Sequence, residues 1–114
     1  MEINNEFLDG FLILKLNGDI DASSSIILDN ALDEALKSEH KSVMVDCSFL
    51  NYISSAGLGV FMSYVEDFKE KDKSLVLFGL SDKVRTVFSL LGLELLITMA
   101  GDYEEAKKLG DDEL

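Results

Sequence analysis

Short apolar runs alternate along this chain with longer stretches in which apolar residues recur every three or four positions. The short runs predict β-strands, and the longer stretches predict amphipathic helices. Strands that alternate with helices of this length build parallel β–α–β units, so the order of elements strongly limits the possible folds. It predicts an α/β domain in which the helices are gathered against the faces of a sheet.

The N-terminal residues predict an antiparallel hairpin. Asp9-Gly10 is a strong turn dipeptide, and the apolar run from Phe11 to Leu16 follows it. A hairpin joined to parallel units makes the sheet mixed, and we expect four to five strands and about four helices. The segment Gly18 to Asp21 is expected to end the second strand.

The elements after the hairpin follow the same alternation. Asp21 or Ser23 is expected to cap the first helix, and Gly92 is expected to end the third. The predicted elements are a helix from Ala22 to Lys37, a strand from Val43 to Cys47, a loop from Ser48 to Ser54, a helix with an apolar stripe from Leu58 to Phe68, a strand from Ser74 to Gly79, a helix from Ser81 to Leu91, a strand from Leu95 to Thr98 and a helix from Asp102 to Leu109. The aromatic side chains expected mostly in the core are Tyr52, Phe61, Tyr64 and Phe68.

The chain has 114 residues, which is enough for one domain with a single core and too few for two. We expect this domain to span residues 1–110 and a frayed acidic tail to occupy residues 111–114. No apolar run reaches the roughly 18 residues that span a bilayer. The N-terminus, Met1 to Glu6, has neither the basic nor the apolar region of a secretion signal. The sequence therefore predicts a cytoplasmic protein.

The 22 acidic and 10 basic side chains give the chain a net charge of −12. Proteins bind nucleic acid largely through Lys and Arg, which neutralise phosphates, so this charge argues against a nucleic-acid partner. It also disfavours anionic membrane surfaces. A protein or a small molecule remains as partner, and the acidic field favours a protein with a basic face.

The residues that could carry catalysis are few and scattered. The hydrolase motif Gly-x-Ser-x-Gly would need glycine in place of Ile53 to make Ser55 its nucleophile. His40 lies at the end of the first predicted helix, where we expect it to contact the last carbonyls rather than act as a base. Cys47 lies in a predicted buried strand and is expected to be an inert core thiol. We therefore expect no enzyme activity, no metal site and no cofactor.

The segment Asn51 to Val60 joins a predicted buried strand to the second helix. In open α/β sheets, ligands and partners bind at the carboxyl ends of the strands, which is where this segment lies. Its adjacent serines, Ser54 and Ser55, have two interpretations. One is an N-cap, in which a serine hydroxyl accepts a hydrogen bond from an early helical N–H. The other is an exposed hydroxyl that accepts a phosphoryl group, whose charge the positive end of the helix tolerates.

The sequence from Tyr52 to Val60 resembles the signature of STAS domains, in particular that of bacterial anti-anti-sigma factors. In that family a central strand ends in an aromatic–aliphatic pair, and Asp-Ser-Ser/Thr-Gly-Leu-Gly then opens the next helix. The segment Gly18 to Asp21 resembles the family's Gly-acidic-aliphatic-Asp motif, and Asp46 fits the acidic residue that commonly ends the central strand. The order of elements matches from about Phe7 to Leu109. The resemblance implies a single STAS-type domain.

When the segment Gly57 to Gly59 is set on the family's Gly-Leu-Gly, Ser55 falls on the serine that the family phosphorylates. Ser54 stands where the family has Asp, and it is the second candidate acceptor. The resemblance implies that the unmodified domain binds an anti-sigma factor, an ATPase-type serine kinase, and so releases a sigma factor. Phosphorylation would end this binding, and a serine phosphatase would restore it. The docking surface that the family implies consists of Asp21, Ser54, Ser55, Ala56 and Gly57.

A second function is open for the same fold. The chain could serve as a STAS scaffold subunit of a transporter or of a signalling assembly, and it would then never be phosphorylated. The two functions differ in one property, which is whether a negative charge at Ser55 changes the binding of a partner.

Overall fold

The structure is a computed structural model that describes residues 1–113. Its strands and helices are, in chain order, β1 (Glu2–Leu8), β2 (Phe11–Ile20), α1 (Ser25–Lys37), β3 (Ser42–Ile53), α2 (Ser55–Glu70), β4 (Ser74–Phe78), α3 (Asp82–Leu90), a short 3-10 helix (Leu93–Leu95), β5 (Thr98–Ala100) and α4 (Tyr103–Glu113).

The five strands form one sheet in the order β1-β2-β3-β4-β5. β1 and β2 pair antiparallel through a two-residue turn, in which Asp9 and Gly10 have φ values of 53° and 85°. Positive φ at both positions is typical of a type I′ turn, whose twist matches that of the strands it joins. The pairs β2–β3, β3–β4 and β4–β5 are parallel. The mixed sheet, its N-terminal hairpin and the four α-helices confirm the predicted fold class.

Helices cover both faces of the sheet. On one face α1, α2 and α3 bury a large core that includes Leu32, Phe61 and Phe88, one from each helix. On the other face α4 closes a smaller core, whose last members on β2 and β3 are Ile13 and Met44. The carboxyl-terminal halves of β2 and β3 therefore extend past this smaller core.

β3 is longer than the sequence predicts. The predicted loop from Ser48 to Ser54 is wrong, because the strand runs to Ile53 and stays paired with β2. Past Asp46, where its pairing with β4 ends, β3 is bonded to β2 alone, so polar side chains are tolerated there. Two one-residue bulges, on either side of the Asn17–Phe49 and Gly18–Leu50 pairs, bend this part of β3. The bulges keep Leu50 and Ile53, three positions apart, in the same core.

The end of β2 also differs from the prediction. Gly18 does not end the strand, which continues to Ile20 because its backbone remains paired with β3. Gly18 has φ 114° and lies at one of the two bulges, where a residue without Cβ adopts this conformation readily.

The last strand lies further along the chain than predicted. Gly92 ends α3 with φ 71°, as expected, but the leucines after it form the short 3-10 helix. Leu95 and Leu96 are 86% and 50% exposed, so this apolar run is no buried strand. β5 begins at Thr98 because there the chain reaches Val76 of β4 and pairs with it.

The last helix begins as predicted and runs further than predicted. Asp102 Oδ1 accepts a hydrogen bond from Glu105 N, and Glu105 Oε1 accepts one from Gly101 N, both at 2.9 Å. The two carboxylates thus satisfy two backbone N–H groups at the start of α4, as in a capping box, except that Glu105 bonds the N–H of Gly101 in place of that of Asp102. α4 continues to Glu113, so residues 111–113 of the expected tail belong to the helix, and Leu114 lies outside the described residues.

The first turn of α2 packs closely on the ends of β2 and β3. Gly57 is buried, and a Cβ at this position would lie 2.7 Å from Ile20 Cγ2 and 2.8 Å from Ile53 Cγ1. Both atoms are near the backbone and move little. Ile20 and Ile53 form the last pair of the β2–β3 ladder. The absence of a side chain at Gly57 therefore sets how closely α2 approaches the carboxyl ends of these strands.

Gly57→Ala should lower the free energy of unfolding by about 1–3 kcal/mol, since the new methyl group overpacks the contact with the two isoleucines. Gly59→Ala is the matched control: a Cβ there meets nothing within 4 Å, so the better helix former should raise stability by about 0.5–1 kcal/mol. Urea denaturation followed by circular dichroism measures both. Equal stability changes in the two variants would contradict the close packing of Gly57.

Candidate functional site

Ser54 and Ser55 have different positions at the start of α2. Ser54 is the N-cap: its backbone is extended (φ −83°, ψ 170°), and its Oγ accepts a hydrogen bond of 3.2 Å from Gly57 N. Ser55 is the first residue of the helix, and its side chain is exposed. The N-cap interpretation therefore applies to Ser54, whereas Ser55 carries the hydroxyl that faces solvent.

A backbone hydrogen bond joins the start of α2 to the end of β2. Ser54 N donates to Ile20 O over 2.8 Å. Because Asp21 follows Ile20 directly, the turn after β2 lies beside the start of α2. We call the exposed and half-buried residues brought together here the Ser55 surface: Asp21, Ser54, Ser55 and Ala56. Gly57, the fifth residue of the predicted docking surface, is buried against Ile20 and Ile53.

Asp21 is fixed by the residues that follow it. Its Oδ1 accepts hydrogen bonds from Ser24 N (2.8 Å), Ser23 Oγ (2.8 Å) and Ser24 Oγ (2.9 Å). The first helix begins at Ser25, so the N-cap position belongs to Ser24, not to Asp21 or Ser23, and Asp21 closes the turn before the helix. These bonds, above all that from the Ser24 amide, lower the pKa of Asp21 to about 2. The Ser55 surface therefore carries a fixed negative charge at neutral pH.

The start of α2 has the opposite polarity. Its first turn carries no acidic side chain. The first N–H groups of a helix lack carbonyl partners within it and together carry roughly half a positive charge. Ser54 Oγ satisfies one of these groups, that of Gly57. A phosphate on Ser55 would thus lie close to hydrogen-bond donors and to positive potential.

Two exposed aromatic side chains lie on the strand that leads into Ser54. Phe49 is 68% exposed and Tyr52 is 47% exposed, so the expectation of Tyr52 in the core is wrong. Their ladder partners, Asn17 and Asp19, are two positions apart on β2, so both rings are on one face of the sheet. This is the face of α4, whose core ends before these rings. Sequence periodicity gave no signal for this pair, because the bulges of β3 break the alternation.

Two further titratable side chains for which the sequence predicts a position, those of Cys47 and His40, contact the rest of the fold. Cys47 is fully buried, and burial raises the pKa of its thiol, as expected for an inert core cysteine. The ring of His40 lies 4.8 Å from that of Phe7, and it is Lys73 that donates hydrogen bonds to carbonyls at the end of α1. Among residues 1–111, whose side chains the structure describes, no three His, Cys, Asp or Glu side chains form a group that could hold a metal ion. In the same residues no helix is both long and apolar enough to cross a bilayer.

The family model of the STAS domain matches residues 2–106, and the chain therefore belongs to the STAS domain family. An anti-sigma-B factor antagonist from Listeria monocytogenes is 34% identical over 80 residues, which is 70% of each protein. The crystal structure of an anti-sigma factor antagonist from Mycobacterium paratuberculosis matches with a TM-score of 0.86 at 18% identity, over 97% of this chain and 94% of that one. The Bacillus cell fate determinant SpoIIAA in its phosphorylated form matches with a TM-score of 0.70 at 16% identity, over 95% and 99% of the two chains.

The side chain of Asp21 should titrate with a midpoint near pH 2, against 3.8 for an unperturbed aspartate. Because the pKa is lower in the folded state, the unfolded chain takes up the proton first as the pH falls. The stability that this carboxylate contributes is thus complete above about pH 4 and is lost as the pH falls through 2. Carboxyl carbon NMR measures the midpoint directly.

The double variant Ser23→Ala/Ser24→Ala is the control for this titration, since it removes both hydroxyl donors and keeps the Ser24 amide. Its Asp21 midpoint should move upward, toward 3.8. A wild-type midpoint near 3.8, or no change in the double variant, would contradict the hydrogen bonding described for this turn.

Proposed function

We propose that this chain is a cytoplasmic anti-sigma factor antagonist that acts by partner switching. Its unmodified form binds an anti-sigma factor, a serine kinase of the ATPase type, and so releases a sigma factor. Phosphorylation of Ser55 by that kinase ends the binding, and a serine phosphatase restores it. The observation that carries the proposal is the exposed hydroxyl of Ser55 at the start of α2, beside the fixed carboxylate of Asp21.

The position of Ser55 allows phosphorylation without unfolding. A phosphate adds nearly two negative charges, and at this point it would meet the positive start of a 16-residue helix whose first turn has no carboxylate. The hydroxyl is exposed and supports no buried contact of the core. Modification therefore changes the charge and shape of the Ser55 surface and leaves the packing beneath it in place.

The same change is sufficient to end the binding of a partner. The chain carries a net charge of −12, and Asp21 already places a carboxylate on the Ser55 surface, so a partner that binds there needs a basic contact face. A phosphate at the centre of the contact adds bulk and must be desolvated. Like charges or unpaired charges in an interface cost several kcal/mol, which is enough to dissociate a tight complex.

Ser55 is favoured over Ser54 as the acceptor because of their different surroundings. The Ser54 hydroxyl is half-buried and accepts a hydrogen bond from Gly57 N, so its modification would remove the N-cap of α2. Loss of a serine N-cap costs about 1 kcal/mol. The hydroxyl of Ser55 does not cap the helix. Ser54, however, occupies the position at which the resemblance leads us to expect aspartate.

Incubation with an anti-sigma factor kinase of the same organism and ATP should add one phosphoryl group to the wild-type chain. Ser55→Ala should abolish this addition, whereas Ser54→Gly should preserve it. Glycine is the matched replacement at Ser54 because it costs an N-cap only a few tenths of a kcal/mol. Intact-mass spectrometry measures the addition. A Ser55→Ala chain that is still phosphorylated as fully as the wild type would refute the assignment of the acceptor.

Ser55→Asp should weaken binding to this kinase roughly a hundredfold or more, since it places a permanent charge in the proposed interface. Ser63→Asp is the charge-matched control, because Ser63 is also exposed on α2 but lies two turns further along the helix. Its affinity should stay within about twofold of the wild type, as expected for a rim position. Isothermal titration calorimetry measures both. Unchanged affinity of Ser55→Asp would favour the alternative of a scaffold subunit that is not regulated by phosphorylation.

A further inference from the structure

A cavity of about 640 Å³ opens at the end of the sheet opposite to the Ser55 surface. Its wall includes Lys41, which precedes β3, and the first residues of β4 and β5, Ser74 and Thr98. Ser55 instead follows the carboxyl end of β3. The cavity is therefore separate from the proposed phosphorylation site, and its function does not rest on the function proposed above.

The floor of the cavity is apolar. It is formed by side chains of α2, of β4 and of the segment before β5, among them Phe68, Leu75 and Ile97. Leu96, which lies in the apolar segment before β5, also lines the cavity and is half exposed. Ligand cavities of proteins typically have 300–1,000 Å³ and are mostly apolar with a few polar groups that orient the ligand. In size this cavity falls within that class, and its lining is divided about equally between apolar and polar residues.

Its charged groups are mainly cationic. Lys41, Lys69 and Lys73 all line it, together with one carboxylate, that of Asp72. The whole chain has only 10 basic residues against 22 acidic ones, so three lysines around one cavity oppose the charge of the rest of the molecule. This local excess of positive charge indicates an anionic ligand.

Lys73 has a structural role that accounts for part of this cluster. Its ammonium group donates to Ala35 O at 3.1 Å and to Ser38 O at 2.5 Å, at the end of α1. An ammonium group has three donors, so one remains for a ligand after these two bonds. Burial lowers the pKa of Lys73, and so do the charges of Lys71 and Lys41, which are both cations. The capping of α1 thus explains why Lys73 lies at the cavity. It does not explain why Lys41 and Lys69 lie there.

We propose that this cavity binds a small organic anion, a carboxylate or phosphate monoester attached to an aromatic or aliphatic body. The anionic group lies against the ammonium groups of Lys41, Lys69 and Lys73, and the apolar body lies on Phe68, Leu75 and Ile97. Lysine suits this role because its ammonium is a compact charge on a flexible stem, which adapts to carboxylate and phosphate alike.

Phenyl phosphate is a suitable probe, because it combines the two parts that the cavity is proposed to recognise. In a titration of the ¹⁵N-labelled chain, it should cause saturable amide shifts in residues 68–75 and 96–98. Inorganic phosphate, which lacks the apolar body, and benzyl alcohol, which lacks the charge, should each bind at least about tenfold more weakly. Shifts centred elsewhere on the chain, or equal affinity for all three compounds, would overturn the proposal.

The double variant Lys41→Gln/Lys69→Gln tests the cationic part and leaves Lys73 to cap α1. Both side chains are exposed, so the fold should be kept, and phenyl phosphate should bind at least about tenfold more weakly. Lys83→Gln/Lys108→Gln makes the same change of net charge at exposed positions outside the cavity. Its affinity should stay within about twofold of the wild type. If the two double variants lose equal affinity, binding follows net charge alone and the proposed site is wrong.

Discussion

The hydrogen bond from Ser54 N to Ile20 O is the interaction on which the candidate site depends. It continues the pairing of β2 with β3 by one step and fixes where α2 can begin. Gly57 makes this possible, since a side chain at that position would collide with Ile20 and Ile53. The result is that Asp21, at the end of one strand, and the serines at the end of its neighbour form one surface, although they are far apart in the sequence.

The features predicted correctly from the sequence are those that local chemistry determines. The hairpin follows from the turn preference of Asp9-Gly10, and the helices follow from apolar residues that repeat along one face. The bulged half of β3 was not predictable in this way: Ser48 and Asn51 favour a loop locally, and only pairing with β2 makes the segment a strand. In the same way, an apolar run predicted β5 too early, since its true start depends on contact with β4.

The candidate site was predictable in part. The signature around the serines identified the segment, but which serine is the N-cap and which carries the exposed hydroxyl depends on where α2 begins against β2. The exposure of Phe49 and Tyr52 depends on bulges that leave no mark in the sequence. The lysine-lined cavity joins residues before β3, at the end of α2 and before β5, so only the folded chain brings its cations together. Tertiary pairing, not local propensity, creates each of these features.

The central claim is that modification of Ser55 acts through surface charge while the fold beneath it is unchanged. Comparison of the amide NMR spectra of the unmodified chain and of the chain phosphorylated at Ser55 tests this claim most directly. The account predicts shift changes confined to residues 20–24 and 52–59, with the amides of β1, β4 and α4 unaffected. Shift changes spread across the sheet and its two cores would contradict it, because the signal would then be a change of conformation.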